Sequence, residues 1–84
     1  MKARYQRKFE KQIKKLDPKL QNKVFKTIDI FIDNPYHKSL HNHSLSGNLR
    51  GKRAISVSGD LRIIFQEFDS YTLVIFLDLG TLRE

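Results

Sequence analysis

The second half of the sequence carries four basic side chains that could bind phosphate groups: Arg50, Lys52, Arg53 and Arg62. An arginine can hold two phosphate oxygens at once, and a lysine adds a point charge. The chain of 84 residues contains 16 lysines and arginines against 9 aspartates and glutamates, a formal net charge of +7. Such an excess favours a polyanionic partner, because binding releases counterions. Nucleic acid is the leading candidate, and composition leaves open an acidic protein partner or a basic surface without a ligand.

A polar segment at residues 36–48 contains all three histidines of the chain: His37, His41 and His43. Its serines, asparagines and glycine predict an ordered loop that leads into a sheet, and such loops often carry functional groups. Three loop histidines without cysteine or an acidic ligand beside them make a poor metal site, so neither a metal nor another cofactor is expected. A histidine in such a loop is otherwise more often structural, bonded to a backbone carbonyl.

Two helices are predicted ahead of this loop, after a short strand at residues 2–5. Asp17 followed by Pro18 is typical of an N-cap and a first helical position, so the first helix should end there and the second begin. The second helix should end at Asn34-Pro35. In the first helix, apolar residues recur at helical spacing at Phe9, Ile13 and Leu16. The apolar stripe of the second is predicted to comprise Leu20, Val24, Phe25, Ile28, Ile30, Phe31 and Ile32.

Three runs of β type follow the loop, at residues 49–57, 61–68 and 71–79. The last run is apolar on both faces and should lie centrally in the sheet. Helices first and strands afterwards predict one α+β domain over residues 1–84, with a helical hairpin packed on one face of a twisted antiparallel sheet. The turn signals between the runs are Ser58-Gly59-Asp60 and Asp69-Ser70.

The register of the first strand pair decides where the charge lies, because a slip of one residue exchanges the two faces of a sheet. A three-residue loop at residues 58–60 separates apolar from polar side chains, whereas a two-residue loop mixes them, so the longer loop is preferred. Alternation then sends Arg53 to the apolar side, where it would snorkel at the sheet edge or pair with an acidic residue. The apolar face would contain Leu49, Ile55, Val57, Leu61, Ile63 and Phe65. The opposite, basic face would contain Arg50, Lys52, Ser56, Arg62 and Gln66.

The sequence predicts a cytoplasmic protein with no membrane partner. No apolar run approaches the ~20 residues of a membrane span. The basic N-terminus is not followed by an apolar signal segment. Without cysteine, neither a disulfide framework nor a thiolate site is possible, which fits a reducing compartment.

Short motifs follow one another towards the C-terminus: His43-Ser-Leu-Ser-Gly47, Gly51-Lys-Arg53, Gly59-Asp60-Leu-Arg62 and Leu79-Gly80-Thr81. In this order they resemble the core of the RelE/YafQ-like toxins of type II toxin–antitoxin systems, within the RelE/ParE superfamily. Arg4-Tyr5 before a basic helix and the helix that closes in Asn34-Pro35 extend the likeness to nearly the whole chain. The resemblance implies the RelE-like fold, in agreement with the elements predicted above.

The resemblance also implies an activity. Such toxins are ribosome-dependent mRNA endonucleases, or mRNA interferases, which enter the decoding site of the 70S ribosome, cut the message and inhibit translation. The ribose 2′-hydroxyl attacks the adjacent phosphate, so the protein must align that hydroxyl, manage two protons and stabilise the developing charge, without a metal. A cognate antitoxin would cover the basic face, and the toxin would be a monomer or part of a toxin–antitoxin hetero-oligomer.

The family's site residues can be carried over onto matching positions of this chain. His43 matches the loop histidine and is the candidate for proton transfer. Asp60 matches the hairpin acid, which would accept a proton or orient the substrate, and Arg62 matches the arginine that contacts the scissile phosphate. The basic residues that would hold mRNA or ribosomal RNA are Arg50, Lys52, Arg53 and Arg83.

Three positions depart from the family pattern. Leu82 stands where the family usually has the histidine of Gly-Thr-His, Leu61 where an aromatic residue often stacks on a base, and Ser56 where some relatives have another histidine. General acid–base catalysis contributes about 10²- to 10⁴-fold, so the loss of one such group predicts attenuated cleavage. Two alternatives stay open: a ParE-like toxin that acts on DNA gyrase without a nuclease, and a non-catalytic RNA- or ribosome-binding module.

Overall fold

A computed structural model describes residues 1–81. The elements are β1 (Lys2–Tyr5), α1 (Arg7–Lys14), α2 (Pro18–Asp33), β2 (His43–Ser44), β3 (Arg53–Ser58), β4 (Leu61–Phe68) and β5 (Leu73–Thr81). Two single turns of 3-10 helix, at Lys38–Leu40 and Gly47–Leu49, lie on either side of β2. Two helices packed on a five-stranded sheet confirm the predicted α+β class.

Local signals at the ends of α2 set its boundaries. Asp17 caps the helix by accepting a hydrogen bond of 2.9 Å from the backbone N–H of Leu20, and Pro18 lies in the first turn, where a backbone donor is not needed. At the other end, the N–H of Asn34 donates to the carbonyl of Ile30 at 2.8 Å. Both predicted boundaries are confirmed. Neither helix within residues 1–81 has the length and hydropathy to cross a membrane.

The sheet has the strand order β1-β5-β4-β3-β2. Strands β2 to β5 pair antiparallel, as predicted, but β1 pairs parallel with β5, with Tyr5 opposite Phe76. These two strands come from opposite ends of the chain, so no hairpin connects them and forces the antiparallel direction. Strand β5 has a neighbour on each side, which agrees with its apolar character, but the central strand of the five is β4 and not the last predicted run.

The helices cover one face of the sheet and bury a single core. Its aromatic centre is Phe31 of α2, whose ring meets Phe65 and Phe76 edge to face with centroids 4.8 and 5.6 Å apart. Aromatic pairs in this geometry stabilise a core beyond the area they bury. The buried core residues are Phe9, Ile13, Val24, Ile28, Phe31, Leu40, Ile55, Ile63, Phe65, Val74, Phe76 and Leu79.

Helix α2 buries a narrower stripe than the sequence predicts. Phe25 and Ile32 are 47% and 45% exposed, and Ile30 is 38% exposed. These side chains project from the flanks of the helix, and the sheet covers only its central stripe. The prediction that they belong to the core face is therefore wrong.

The β3–β4 hairpin has the predicted register but a different turn. Ser56 lies opposite Arg62, so the apolar and polar faces fall where the side-chain pattern places them. Ser58 pairs with Leu61 across a two-residue turn, and Val57 is left as a β-bulge. Because the bulge absorbs one residue, the shorter turn does not exchange the faces.

The first predicted strand of this hairpin begins only at Arg53. Gly47 and Gly51 have positive φ angles of 64° and 88°, which glycine adopts freely but which interrupt a strand. Leu49 therefore lies in a turn and not on the core face, and Arg50 is exposed after it, off the sheet. The preceding polar segment is not a loop throughout, since it contributes β2 to the sheet edge.

Candidate active site

The face of the sheet opposite the helices carries the main candidate residues, and we call it the outer face (His43, Ala54, Ser56, Arg62, Ile64 and Gln66). His43 lies opposite Ala54 of β3, which in turn lies opposite Ile64 of β4. Directly paired residues project to the same side of a sheet, and Ile63 next in β4 points into the core. The path from His43 to Arg62 crosses two strand spacings, from β2 to β3 and from β3 to β4, and then runs two residues along β4. The two backbones therefore lie roughly 12 Å apart.

The His43 ring is exposed, and the backbone binds one of its nitrogens. Nδ1 lies 2.8 Å from the carbonyl oxygen of His41. A carbonyl can only accept, so Nδ1 carries the proton of this bond, and in the neutral ring Nε2 keeps its lone pair. Nε2 is therefore the nitrogen that can take a proton from a bound group.

Arg62 lies in the central strand of the sheet and is partly buried. Its Nε atom is buried, so the base of the guanidinium is packed against the sheet and its position is restricted. A guanidinium held in this way loses less freedom on binding a phosphate than a freely rotating side chain does.

Asp60 lies in the exposed turn that ends the β3–β4 hairpin. The structure places this acid beyond Arg62 at the end of the outer face, and not in the cross-strand row of His43. Leu61, at the position where an aromatic residue often stacks in the family, packs against the core.

Lys52 is partly buried and lines a depression of about 380 Å³ that opens on the outer face. Asp78 lies on its rim, where its carboxylate accepts a hydrogen bond of 2.7 Å from Gln12 and lies 3.4 Å from the Lys8 ammonium. Sequence reasoning missed this acidic group, because its partners are on α1 and no local pattern links them. The remaining lining residues are Gln6, Leu49, Ile64, Gln66 and Leu77.

Arg53 lies on the core side of β3, opposite Phe65 and away from the outer face. Its Nε donates a hydrogen bond of 2.8 Å to Oδ1 of Asn42, and its guanidinium carbon lies 6.0 Å from the centre of the Tyr36 ring. The sequence predicts snorkelling or pairing with an acid. The partners at these contacts are instead a neutral amide and an aromatic ring within cation–π range.

Asn42 links Arg53 to the rest of the fold. Its Nδ2 donates to the carbonyl of Pro35 and to the hydroxyl of Tyr71, each at 3.0 Å. Burial, followed by a hydrogen bond with the Tyr36 side chain, raises the pKa of Tyr71 above its ordinary value. Sequence analysis missed Asn42, because asparagines are common in polar segments and its partners come from distant parts of the chain.

The other two histidines have structural roles within the polar segment at residues 36–48. Nδ1 of His37 accepts the N–H of Ser39 at 3.1 Å, so its neutral ring has the opposite tautomer to His43. His41 has a left-handed backbone with φ of 50°. Across residues 1–81, no three histidine or acidic side chains are grouped as metal ligands. Leu82 and the predicted RNA-binding residue Arg83 lie outside the described residues.

Comparison with known proteins decides the family. A model of the YafQ family, described as the bacterial toxin of type II toxin–antitoxin systems, matches residues 1–84. The chain belongs to the YafQ toxin family. No curated protein matches the sequence.

Solved structures support this assignment with the fold. The crystal structure of YafQ from E. coli strain BL21(DE3) is 25% identical, has a TM-score of 0.78, and aligns over 95% of this chain and 91% of that one. The E. coli DinJ–YafQ complex is 24% identical with a TM-score of 0.69, over 94% and 90% of the two chains. The toxin–antitoxin complex RelBE2 from Mycobacterium tuberculosis is 18% identical with a TM-score of 0.77, over 95% of each chain. The RelE-like fold expected for a YafQ-family toxin is thus confirmed.

Proposed function

We propose that this YafQ-family toxin is a metal-independent endoribonuclease that cuts mRNA in the decoding site of the ribosome. The supporting observation is that His43 and Arg62 share the outer face, with Nδ1 of His43 bonded to a backbone carbonyl and Nε2 available. The substrate supplies its own nucleophile, the ribose 2′-hydroxyl, which restricts the reaction to RNA. The protein then has to supply only proton transfer and charge stabilisation.

In the proposed reaction, Nε2 of His43 takes the proton of the 2′-hydroxyl while the hydroxyl oxygen attacks the adjacent phosphorus. The bond from phosphorus to the 5′-oxygen of the next nucleotide breaks, which leaves a 2′,3′-cyclic phosphate and a protonated 5′-hydroxyl. Arg62 binds the non-bridging phosphate oxygens, where negative charge increases in the transition state. Asp60, at the end of the outer face, orients the substrate or accepts a proton.

The departing 5′-oxygen needs a proton, and the outer face has few groups to supply one. Among the described residues, Ala54, Ser56 and Ile64 lie beside His43 in the cross-strand rows, and none of them transfers protons at neutral pH. Asp78 ends the row of His43 opposite Ile64, where Gln12 and Lys8 already contact its carboxylate. Leu82 stands at the position of the family's usual histidine. We therefore propose slow cleavage with water as the proton source, about 10²- to 10⁴-fold below that of a site with both groups.

RNA would be held by basic groups around this site. Lys52 lines the depression on the outer face, and Arg50 is exposed in the preceding turn. Arg83 would add a contact from outside the described residues. Arg53 faces the core side and would act on RNA only indirectly. Because these contacts replace counterions on phosphate, affinity should fall as salt increases.

A cognate antitoxin is the proposed protein partner, in a hetero-oligomer that keeps the toxin inactive. The fold relatives DinJ–YafQ and RelBE2 were solved as complexes. A net charge of +7 favours an acidic segment that folds on binding and covers the outer face. Co-purification of the toxin with the product of an adjacent gene, and recovery of growth when both are expressed, would support this partner.

The decisive experiment adds the purified toxin to a translating ribosome system and maps the 5′ ends of a defined mRNA by primer extension. New ends are expected at decoding-site codons, only when ribosomes are present, and they should decrease with Arg62→Ala. Lys26→Ala is the matched control, because it removes one exposed positive charge from α2 on the other side of the sheet. An intact message in the wild type overturns the proposal.

A binding-only toxin is the second candidate, favoured by the absence of a second proton-transfer group among Ala54, Ser56 and Ile64 of the outer face. It would arrest translation while the message stays intact. Arrest of DNA replication with translation unaffected would instead indicate a ParE-like action on gyrase.

A further inference from the structure

Asn42 lies between His41 and His43, and its side chain makes three hydrogen bonds to other parts of the chain. Nδ2 donates to the Pro35 carbonyl and to the Tyr71 hydroxyl, both at 3.0 Å, and Oδ1 accepts from Nε of Arg53 at 2.8 Å. The two N–H groups of the Asn42 amide therefore each have an acceptor, and its side chain is partly buried. An amide bonded on three sides fixes the backbone that carries it.

The partners of Asn42 are themselves held in place by ring contacts, and we call the set the Asn42 network (Tyr36, Asn42, Arg53 and Tyr71). The Tyr36 and Tyr71 rings meet edge to face at 5.4 Å, and the Arg53 guanidinium lies 6.0 Å from the Tyr36 ring. Tyr71 also contacts Phe31 of the core at 6.0 Å. The network thus anchors the polar segment to the rigid core.

Tyr71 reaches Asn42 from a strained turn. Three successive residues without glycine, Asp69, Ser70 and Tyr71, have left-handed φ angles of 56°, 52° and 67°. Bulky L-residues rarely adopt this conformation, and they keep it only where surrounding contacts hold them. Here the Tyr71 N–H donates to Oε1 of Glu67 at 2.8 Å. This turn also replaces the start of the last predicted strand, which begins at Leu73.

The peptide that Asn42 fixes is the one that binds His43. The carbonyl of His41 belongs to the peptide bond joining His41 to Asn42, and it accepts the Nδ1–H of His43 at 2.8 Å. If Asn42 is released, this carbonyl can rotate, and the exposed ring of His43 loses the bond that selects its tautomer.

We propose that Asn42 is a positioning residue: through Tyr71 and Arg53 it holds the His41 carbonyl, and so keeps the proton of neutral His43 on Nδ1 and the lone pair on Nε2. The consequence for RNA cleavage rests on the function proposed above, whereas the state of the ring does not. Arg53 then acts as a support for the site from the core side of the sheet.

The test follows the ring nitrogens of His43 by ¹H–¹⁵N NMR in the labelled full-length protein. The wild type should show the proton on Nδ1 in the neutral ring. In Asn42→Ala, a mixture with the Nε2–H form is expected. Asn48→Ala is the matched control, because it removes an exposed asparagine from the turn Gly47–Leu49 and should leave the wild-type tautomer.

Tyr71→Phe keeps the ring packed against the core and removes only the hydroxyl that accepts from Asn42. It therefore tests the proposal even if Asn42→Ala fails to fold. It should shift the tautomer in the same direction, to a smaller extent. A wild-type ring protonated on Nε2, or folded variants that all keep the wild-type tautomer, would overturn the proposal.

Cleavage on ribosomes separates this proposal from the proposed function. Misplacement of a reacting group by about 1 Å costs up to about 10²-fold in rate, so Asn42→Ala should cut roughly 10- to 100-fold more slowly than Asn48→Ala. A changed tautomer in a toxin that does not cut RNA at all supports the positioning role and contradicts the nuclease. Unchanged cleavage together with an unchanged tautomer contradicts the positioning role alone.

Discussion

Ser56 and Arg62 lie directly opposite each other on β3 and β4, on the face of the sheet that the helices leave open. A candidate phosphate-binding group is therefore paired with a side chain too short and too weakly acidic to move a proton. Ser56 therefore marks a position on the described outer face, directly beside Arg62, where a proton-transfer group could be added.

Replacing that serine should increase the activity. Ser56→His places an imidazole beside Arg62, and we expect ribosome-dependent cleavage to rise by up to about 10²-fold, since one general acid contributes about 10²- to 10⁴-fold when well placed. The measurement is the single-turnover rate on programmed ribosomes. Ser58→His is the matched control, because Ser58 lies past the bulge and binds Lys23 of α2 at 3.1 Å. Equal rates in both variants would argue against a missing proton donor.

Removing the His43 ring should reduce the activity. In His43→Ala the 2′-hydroxyl loses its proposed base, and the cleavage rate should fall by about 10²- to 10⁴-fold. His37→Ala removes another exposed histidine from the same segment and should have little effect on the rate. The same single-turnover assay compares the two, and a similar loss in both variants would mean that the segment matters only for its structure.

Two phenylalanines of α2 test the narrow apolar stripe. Phe31 is fully buried, whereas Phe25 is 47% exposed. Phe31→Ala leaves a cavity in the aromatic core and should lower the free energy of unfolding by about 3 to 5 kcal/mol. Phe25→Ala should change it by less than about 1 kcal/mol. Urea unfolding followed by circular dichroism measures both, and equal losses would place Phe25 in the core after all.

The features that sequence predicts correctly depend on neighbouring residues. Asp17 sets the start of α2 because its side chain caps the helix, and Pro18 follows it because a proline has no backbone N–H to donate. Asn34 marks the end of the helix. The pairing of Ser56 with Arg62 follows from alternation over a few positions, because a slip would bury charge. In each case the deciding interaction lies within one hairpin or one helical turn.

The features that sequence misses depend on distant residues. Periodicity identifies the apolar positions of α2, but it does not show that the sheet covers only one side and leaves Ile32 exposed. The parallel pairing of β1 with β5 joins the two ends of the chain. The bond of Arg53 to Asn42 joins an apolar position of a strand to a polar segment, and no local pattern predicts a neutral partner for that arginine.

Alkaline pH should destabilise the fold through Tyr5. Burial, followed by the nearby Asp29 carboxylate, raises the pKa of Tyr5 above its ordinary value. The folded chain therefore holds this proton more tightly than the unfolded chain, and the resulting stability is complete below about pH 10 and is lost as the pH rises through the folded pKa. Tyr5→Phe should reduce the fall in the free energy of unfolding above about pH 10, and Asp29→Asn should reduce it in part. Urea titrations across this range measure the fall. Part of it should persist in Tyr5→Phe, because the pKa of Tyr71 is raised as well. An identical alkaline loss in the wild type and Tyr5→Phe would show that Tyr5 contributes nothing to it.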